Sequence, residues 1–348
     1  MARLILRDEP SLQAPSLVLG FAGWANAAGL SVEVVSQLQS LLATDAIGTL
    51  EAPECYVVTN PSLANRPVTT IRGGLVEDLR LPTTEVHALP GAGDQPELLL
   101  IEGVEPDLHW QEYVEAVWSL IGRFQVKRVY TIGSYYDQIP HTRPPHVTAV
   151  VSDPHLKGEL RPQHVDFTSY EGPTSIQTFI LHTCQQRQVE GVSLWGGVPP
   201  YLQGSYPRGV VRILSILSKL TGLTIDSGAL QSWVSEFEGV LQQQVAKNEE
   251  LQGFITQLEA AYDQSMSDTD VQHGDEIVEE IQQFLRQRQR PGNTPPSSGQ
   301  ALTAETHGED VMAAVLLLSG VAAFALALFS WRRSRSLARL LRPGGGTD

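Results

Sequence analysis

Residues 17–42 read LVLGFAGWANAAGLSVEVVSQLQSLL. A short apolar run, Leu17 to Leu19, gives way to a glycine-rich turn from Gly20 to Asn26, and Leu30, Val34, Leu38, Leu41 and Leu42 then recur at helical spacing. Asn26 stands where its side chain can cap the helix start. Strand, turn and helix in succession form the repeating unit of a sheet covered by helices. The alternation continues to about Ile225, with further strands predicted at Tyr56 to Val58, Leu98 to Ile101, Arg128 to Ile132, Val147 to Val151 and Val192 to Trp195. A second helical stripe runs through Trp110, Val114, Val117, Ile121 and Phe124. A third runs through Val210, Ile213, Leu214 and Leu217, with Pro207 in its first turn. The expected fold is therefore an α/β domain of three α/β/α layers with a mostly parallel sheet over residues 1–226.

After Asp226 the strand signal stops. Leu230, Trp233, Phe237 and Val240 lead into Leu251, Phe254, Leu258 and Tyr262, and a short helix is expected from Asp275 to Arg288, so residues 227–290 read as a helical extension. Its apolar stripes need a partner surface, either their own domain or a second copy, and a homo-oligomer is expected. Residues 291–310 are rich in Pro, Ser, Thr and Gly and read as a disordered linker. Val311 to Trp331 is a run of 21 residues without a charge. As a helix it spans about 31 Å, the thickness of a hydrocarbon core, and so predicts a single membrane pass. A basic tail follows over residues 332–348.

Net charge is -15, and the five arginines after Trp331 against Asp348 make the tail +4, leaving -19 for the rest. So acidic a body does not suit nucleic acid, whereas a basic tail beside an apolar run suits anionic lipid. Cys55 and Cys184 are the only cysteines, far apart and without zinc or disulfide spacing. The N-terminal segment lacks the charge and length pattern of a secretory signal, since Asp8, Glu9 and Pro10 interrupt its apolar run. Two rules then oppose one another on orientation. Positive-inside places the tail in the cytoplasm, while a large domain completed before the membrane helix emerges favours a cytoplasmic domain on a tail anchor. The second is the expectation adopted.

Ligands of a parallel sheet collect at the carboxyl ends of its strands, so four loops are candidates for function. The first contains Gly23, Trp24 and Asn26 before a helix whose first amides can bind an anion, or which is simply a structural turn. The second contains Glu102 and Glu105, a carboxylate pair suited to acid/base work, to capping or to pairing with an arginine. The third is His141, Thr142 and Arg143 before Pro144 and Pro145, where the prolines hold Arg143 extended toward a carboxylate or an anion. The fourth is Tyr170, Glu171, Gly172, Pro173, Thr174 and Ser175, with Pro173 expected in the first turn of the helix through Ile176 and Ile180. No nucleophile elbow and no metal-spaced histidine pair is written, so no catalytic residue, metal or cofactor is assigned.

The segments Gly-Phe-Ala-Gly-Trp-Ala-Asn, Glu-Gly-Val-Glu-Pro, His-Thr-Arg-Pro-Pro, Tyr-Glu-Gly-Pro-Thr and Trp-Gly-Gly-Val-Pro-Pro-Tyr occur in that order. In this the chain resembles the proteasome assembly chaperone 2 family, from Leu17 to Asp226, with an extension like that of prokaryotic members. The resemblance implies a fold related to purine nucleoside phosphorylases and a protein-binding, assembly-chaperone role, with proteasome α subunits as the implied partner. The alternative is a nucleotide- or nucleoside-binding enzyme on the same fold. Some members dock through a C-terminal hydrophobic-Tyr-any-residue motif. This sequence ends in Gly346, Thr347 and Asp348 instead.

Overall fold

The computed structural model describes residues 2–59, 65–91, 93 and 95–265. The expected membrane helix, linker and basic tail, and the last part of the helical extension, lie outside the described residues. Among the described residues, no helix is long and apolar enough to cross a membrane.

The strands are β1 (Arg3–Leu6), β2 (Ser16–Ala22), β3 (Asp45–Glu51), β4 (Val68–Arg72), β5 (Leu75–Arg80), β6 (Thr84–Leu89), β7 (Leu98–Val104), β8 (Arg128–Tyr136), β9 (Val147–Val151), β10 (Asp166–Phe167) and β11 (Glu190–Val198). Nine of these form one sheet in the order β1-β3-β6-β7-β2-β8-β11-β9-β10, and β4 and β5 pair only with each other. The centre, β7-β2-β8-β11, is parallel. The flanking pairs β1-β3, β3-β6, β6-β7 and β9-β11 are antiparallel, and β10 adds in parallel to β9.

The helices are α1 (Leu30–Leu42), α2 (Trp110–Phe124), α3 (Leu156–Leu160), α4 (Ile176–Gln186), α5 (Pro207–Thr221) and α6 (Ser227–Val245). The pleat sends alternate strand residues to opposite faces. Val18, Leu98 and Leu100 join Leu30, Val34 and Leu38 of α1 and Val210, Ile213 and Leu217 of α5 in one core. Leu17, Leu19, Phe21, Leu99 and Ile101 join Tyr113, Val117 and Leu120 of α2 and Ile176 and Ile180 of α4 in the other. The expected three layers are therefore present, in a mixed α/β fold whose sheet is parallel at its centre.

Several boundaries differ from the expected ones. Tyr56–Val58 is not a strand: a 3-10 turn at Pro53–Cys55 breaks the backbone there, and the buried Tyr56 ring leaves its hydroxyl to donate to the Val104 carbonyl at 3.0 Å. The neighbouring strand is β3, with Ile47 and Leu50 facing inward. Pro173 lies outside α4, which begins at Ile176 on an N-cap from Ser175 whose hydroxyl accepts from Thr178 N–H. The stripe of α6 packs back on the domain, since Leu230 and Leu241 are buried in the first core and Trp233 and Phe237 lie against it. One compact unit accordingly runs to Phe254. A helix over residues 249–265, its start capped by Asn248, crosses into a second unit that is described only as far as residue 265.

Candidate functional site

The parallel centre of the sheet brings the loops after β2, β7 and β8 to one end. There the chain bonds chiefly to itself. Glu105 Oε2 accepts from Trp24 N–H at 2.9 Å, and its Oε1 accepts from Ile176 N–H, also at 2.9 Å. Its own amide donates to Ala22 at 2.7 Å. One carboxylate thus joins the β2 turn, the β7 loop and the first amide of α4, the place where a helix start would hold an anion. Gly23 makes this possible. Its φ of +146° suits glycine, and an added Cβ would stand 2.7 Å from Glu105 Cβ.

Asn26 fulfils its expected capping role from a distance. A 3-10 turn, Ala27–Gly29, separates it from α1, yet its Oδ1 accepts from Ser31 N–H at 2.9 Å and Val32 N–H at 3.4 Å. Ser31 continues inward, its hydroxyl donating to the Ile132 carbonyl at 2.6 Å and accepting from Phe21 N–H at 3.1 Å. Glu102 is not beside Glu105. It sits within β7, in register with Glu85 of β6.

His141 belongs to a separate node. Its N–H donates to Tyr201 Oη at 2.7 Å, and its Nδ1 lies 2.6 Å from the same oxygen. Arg208 donates to the His141 carbonyl at 2.6 Å and faces Glu238 across 3.5 Å. The Tyr201 ring meets Phe254 edge to face at 6.2 Å. Arg143 is half-buried, its backbone N–H donating to Pro140 and its guanidinium to Thr142 Oγ1 at 3.4 Å. Tyr170, Glu171, Gly172 and Thr174 are exposed, with the Tyr170 hydroxyl donating to the Pro173 carbonyl at 3.0 Å.

Side chains that the sequence reading passed over complete these nodes. Asp107 Oδ2 accepts from Val57 N–H and Asn65 Nδ2, pinning the Cys55 turn to the β7 loop. His146 bridges Asp137 Oδ2 at 2.8 Å and Asp166 Oδ2 at 2.9 Å. The hydrogen bond to Asp137 raises its pKa above the usual histidine value, against the opposing pull of burial and with further help from both aspartates. Across the start of β8 and β11, Arg128 meets Glu159 at 2.7 Å and Glu190 at 2.6 Å. Only the position of His146, directly after the Pro144-Pro145 stiffener, signals any of this in sequence.

Burial pushes the Cys184 thiol up to about 12 and raises Cys55 as well, so neither is a poised thiolate. Among the described residues, no cluster of His, Cys, Asp and Glu is arranged to hold a metal. A surface cleft of about 410 Å³ lies between β1 and α2, lined by Leu4, Glu115, Ser119 and Arg123, and takes in none of the loop residues above. Three aromatic side chains are turned outward, together with Leu108 after β7. Trp24 is 63% exposed, Tyr136 at the end of β8 53% and Tyr170 66%.

The PAC2 family matches over residues 17–245. The chain belongs to the PAC2 family. The match begins with β2 and ends with the last residue of α6, so α6 is part of the PAC2 domain and not an appendage to it. Among solved structures, a PAC2 family protein from Streptomyces avermitilis is 28% identical, with 69% of this chain and 99% of that one covered and a TM-score of 0.60. A proteasome-assembly chaperone homologue from Mycobacterium tuberculosis is 22% identical over 69% and 99%, with a TM-score of 0.62. An archaeal proteasome activator from Pyrococcus furiosus, at 18% identity over 70% and 98% and a TM-score of 0.56, shares the fold. No curated protein matches.

Proposed function

We propose that this PAC2-family chain is a membrane-tethered, protein-binding module of the assembly-chaperone kind, and that the aromatic end of its sheet is the surface that meets the partner. One observation carries the reading. The helix-start site that would receive a phosphate or carboxylate is filled by Glu105, while Trp24 and Tyr170 project from the loops it joins and Tyr136 from the end of β8, where β8 pairs with Val198 of β11. Exposed aromatics on a fixed frame are what protein interfaces bury at their centres. The family supports the chaperone reading, as do relatives described as a proteasome-assembly chaperone homologue and a proteasome activator. Proteasome α subunits are the first partner to test. The tether is residues 311–331, with anionic lipid meeting the basic tail, and the large domain is cytoplasmic.

Tagged full-length chain, extracted from its own cells in mild detergent, is expected to retain protein partners identifiable by mass spectrometry, and to bind purified proteasome α subunits. The Trp24→Ala/Tyr170→Ala double variant should weaken that binding by at least about thirtyfold, the scale of one hot-spot aromatic, with an unchanged urea midpoint. Recovery of a nucleotide or nucleoside in stoichiometric amount, with no protein partner, would instead support the enzyme reading and overturn this one.

A further inference from the structure

We propose that the β4-β5 hairpin is a self-association arm, pairing edge to edge through β4 with the same strand of a second copy of this chain. The hairpin closes on Gly73 and Gly74, both at positive φ, the two-residue turn that suits strand twist. It bonds to no other strand among the described residues, and none of its side chains enters either core. A lone two-stranded hairpin is marginal in water, and three or more strands, or a covering element, are needed to hold it.

Its side chains are those of a covered element. The register shift between Thr70 and Ile71 leaves Glu77 as the extra residue, so Val76 pairs with Ile71 and Leu79 with Thr69. Ile71, Val76 and Leu79 thereby share one face, 60%, 68% and 62% exposed. Val68 and Leu75 stand on the other face with Arg72, Asp78 and Arg80. A water-facing hairpin alternates polar outward, and this one does not.

The two open edges differ in a way that selects the occupant. β5 carries Glu77 and Asp78 at its middle beside the bulge, so any central register of β5 on itself sets acid against acid, and charges and bulges guard an edge against pairing. β4 reads Val-Thr-Thr-Ile-Arg, with no acid and its one charge at the end. Antiparallel to a second β4 about Thr70, it places Thr70 opposite Thr70, Thr69 opposite Ile71 and Val68 opposite Arg72. No like charges meet, each copy offers what the other needs, and the contact closes as a two-fold. The result is a four-stranded sheet, β5-β4-β4-β5, with Ile71, Val76 and Leu79 of both copies on one continuous face. This differs from the self-association expected of the helical extension, whose α6 stripe is spent on its own domain.

Full-length chain in mild detergent, followed by sedimentation velocity, tests the pairing. Wild type should sediment as at least a dimer at micromolar concentration. Thr70→Lys and Thr70→Glu should each raise the dimer Kd at least tenfold by setting like charges across the two-fold, and an equimolar mixture of the two variants should associate again as mixed pairs, which misfolded chains would not do. Thr70→Cys should give an interchain disulfide on mild oxidation, since facing residues of antiparallel strands lie within bridging reach, and the chain's own Cys55 and Cys184 are buried. A monomeric wild type, single variants that keep wild-type association, a mixture that stays apart, or a Thr70→Cys chain that does not cross-link would each overturn the proposal.

Discussion

Glu105 supplies from within the chain the negative charge that a helix start attracts, and two loops depend on it. Replacing it by alanine removes two charge-assisted hydrogen bonds and leaves two amides to find water. Glu105→Ala should therefore lose about 3 kcal/mol of stability, and Glu105→Gln, which keeps one acceptor, less than that. Urea unfolding measures both, and a midpoint that does not move would refute the structural role. The sequence offers Glu105 for capping among other roles, and the structure has it accept from the first amide of α4, a helix 71 residues on that spacing could not name. Glu102 and Glu105 read as a pair only if the segment is loop throughout, whereas β7 continues to Val104. Residues an odd number apart along a strand point to opposite faces, so spacing alone cannot bring the two carboxylates together. Trp24 and Tyr170 are legible as loop residues; that they face water while Asn26 turns inward depends on long-range hydrogen bonds that no local pattern encodes.

At the scale of elements, strands of the parallel centre are readable, and of the flanks only β9, expected and found at Val147–Val151, is. β2, β7, β8 and β11 are buried on both faces and appear as continuous apolar runs. β6, reading Thr-Glu-Val-His-Ala-Leu, buries only Thr84, Val86 and Ala88 and keeps polar residues between them. β1 is nowhere fully buried, and β10 is two residues long. β10 nevertheless has a specific fastening, because Asp166 at its start is bonded to His146, which is bonded in turn to Asp137 after β8. Since the native pKa of His146 is raised, the stabilisation is fully present below the unfolded histidine value of about 6.5 and is lost as pH rises through the native value. Wild type should accordingly lose urea stability relative to His146→Asn as pH climbs above about 6.5. Parallel pH profiles for the two proteins would disprove the link.

At the scale of the whole molecule, the tether and its orientation can be decided together. On the proposed topology, with residues 311–331 across the bilayer and the large domain in the cytoplasm, protease added to sealed right-side-out vesicles should leave the domain intact until detergent is added. Digestion from outside would reverse the assignment, and release of the intact chain by carbonate washing would remove the tether altogether. The three layers follow from strand and helix periods, and so were readable; the hairpin's exposure was not, because an apolar strand pattern looks the same whether a core or another chain covers it. The strand order has a consequence in time. β2 is synthesised early, yet Ser16 pairs with Leu98 on one side and Arg128 on the other, and the sheet's centre is completed only when β11 arrives from residue 190 onward. Until β7 emerges at Leu98, about 75 residues after Ala22, an apolar strand destined for the middle of the protein waits without neighbours, and its second neighbour starts only at Arg128. Such long-range closure makes folding slow and the nascent chain prone to aggregation. The PAC2 domain thus passes, while it is being made, through a stage in which its own central strand lies open.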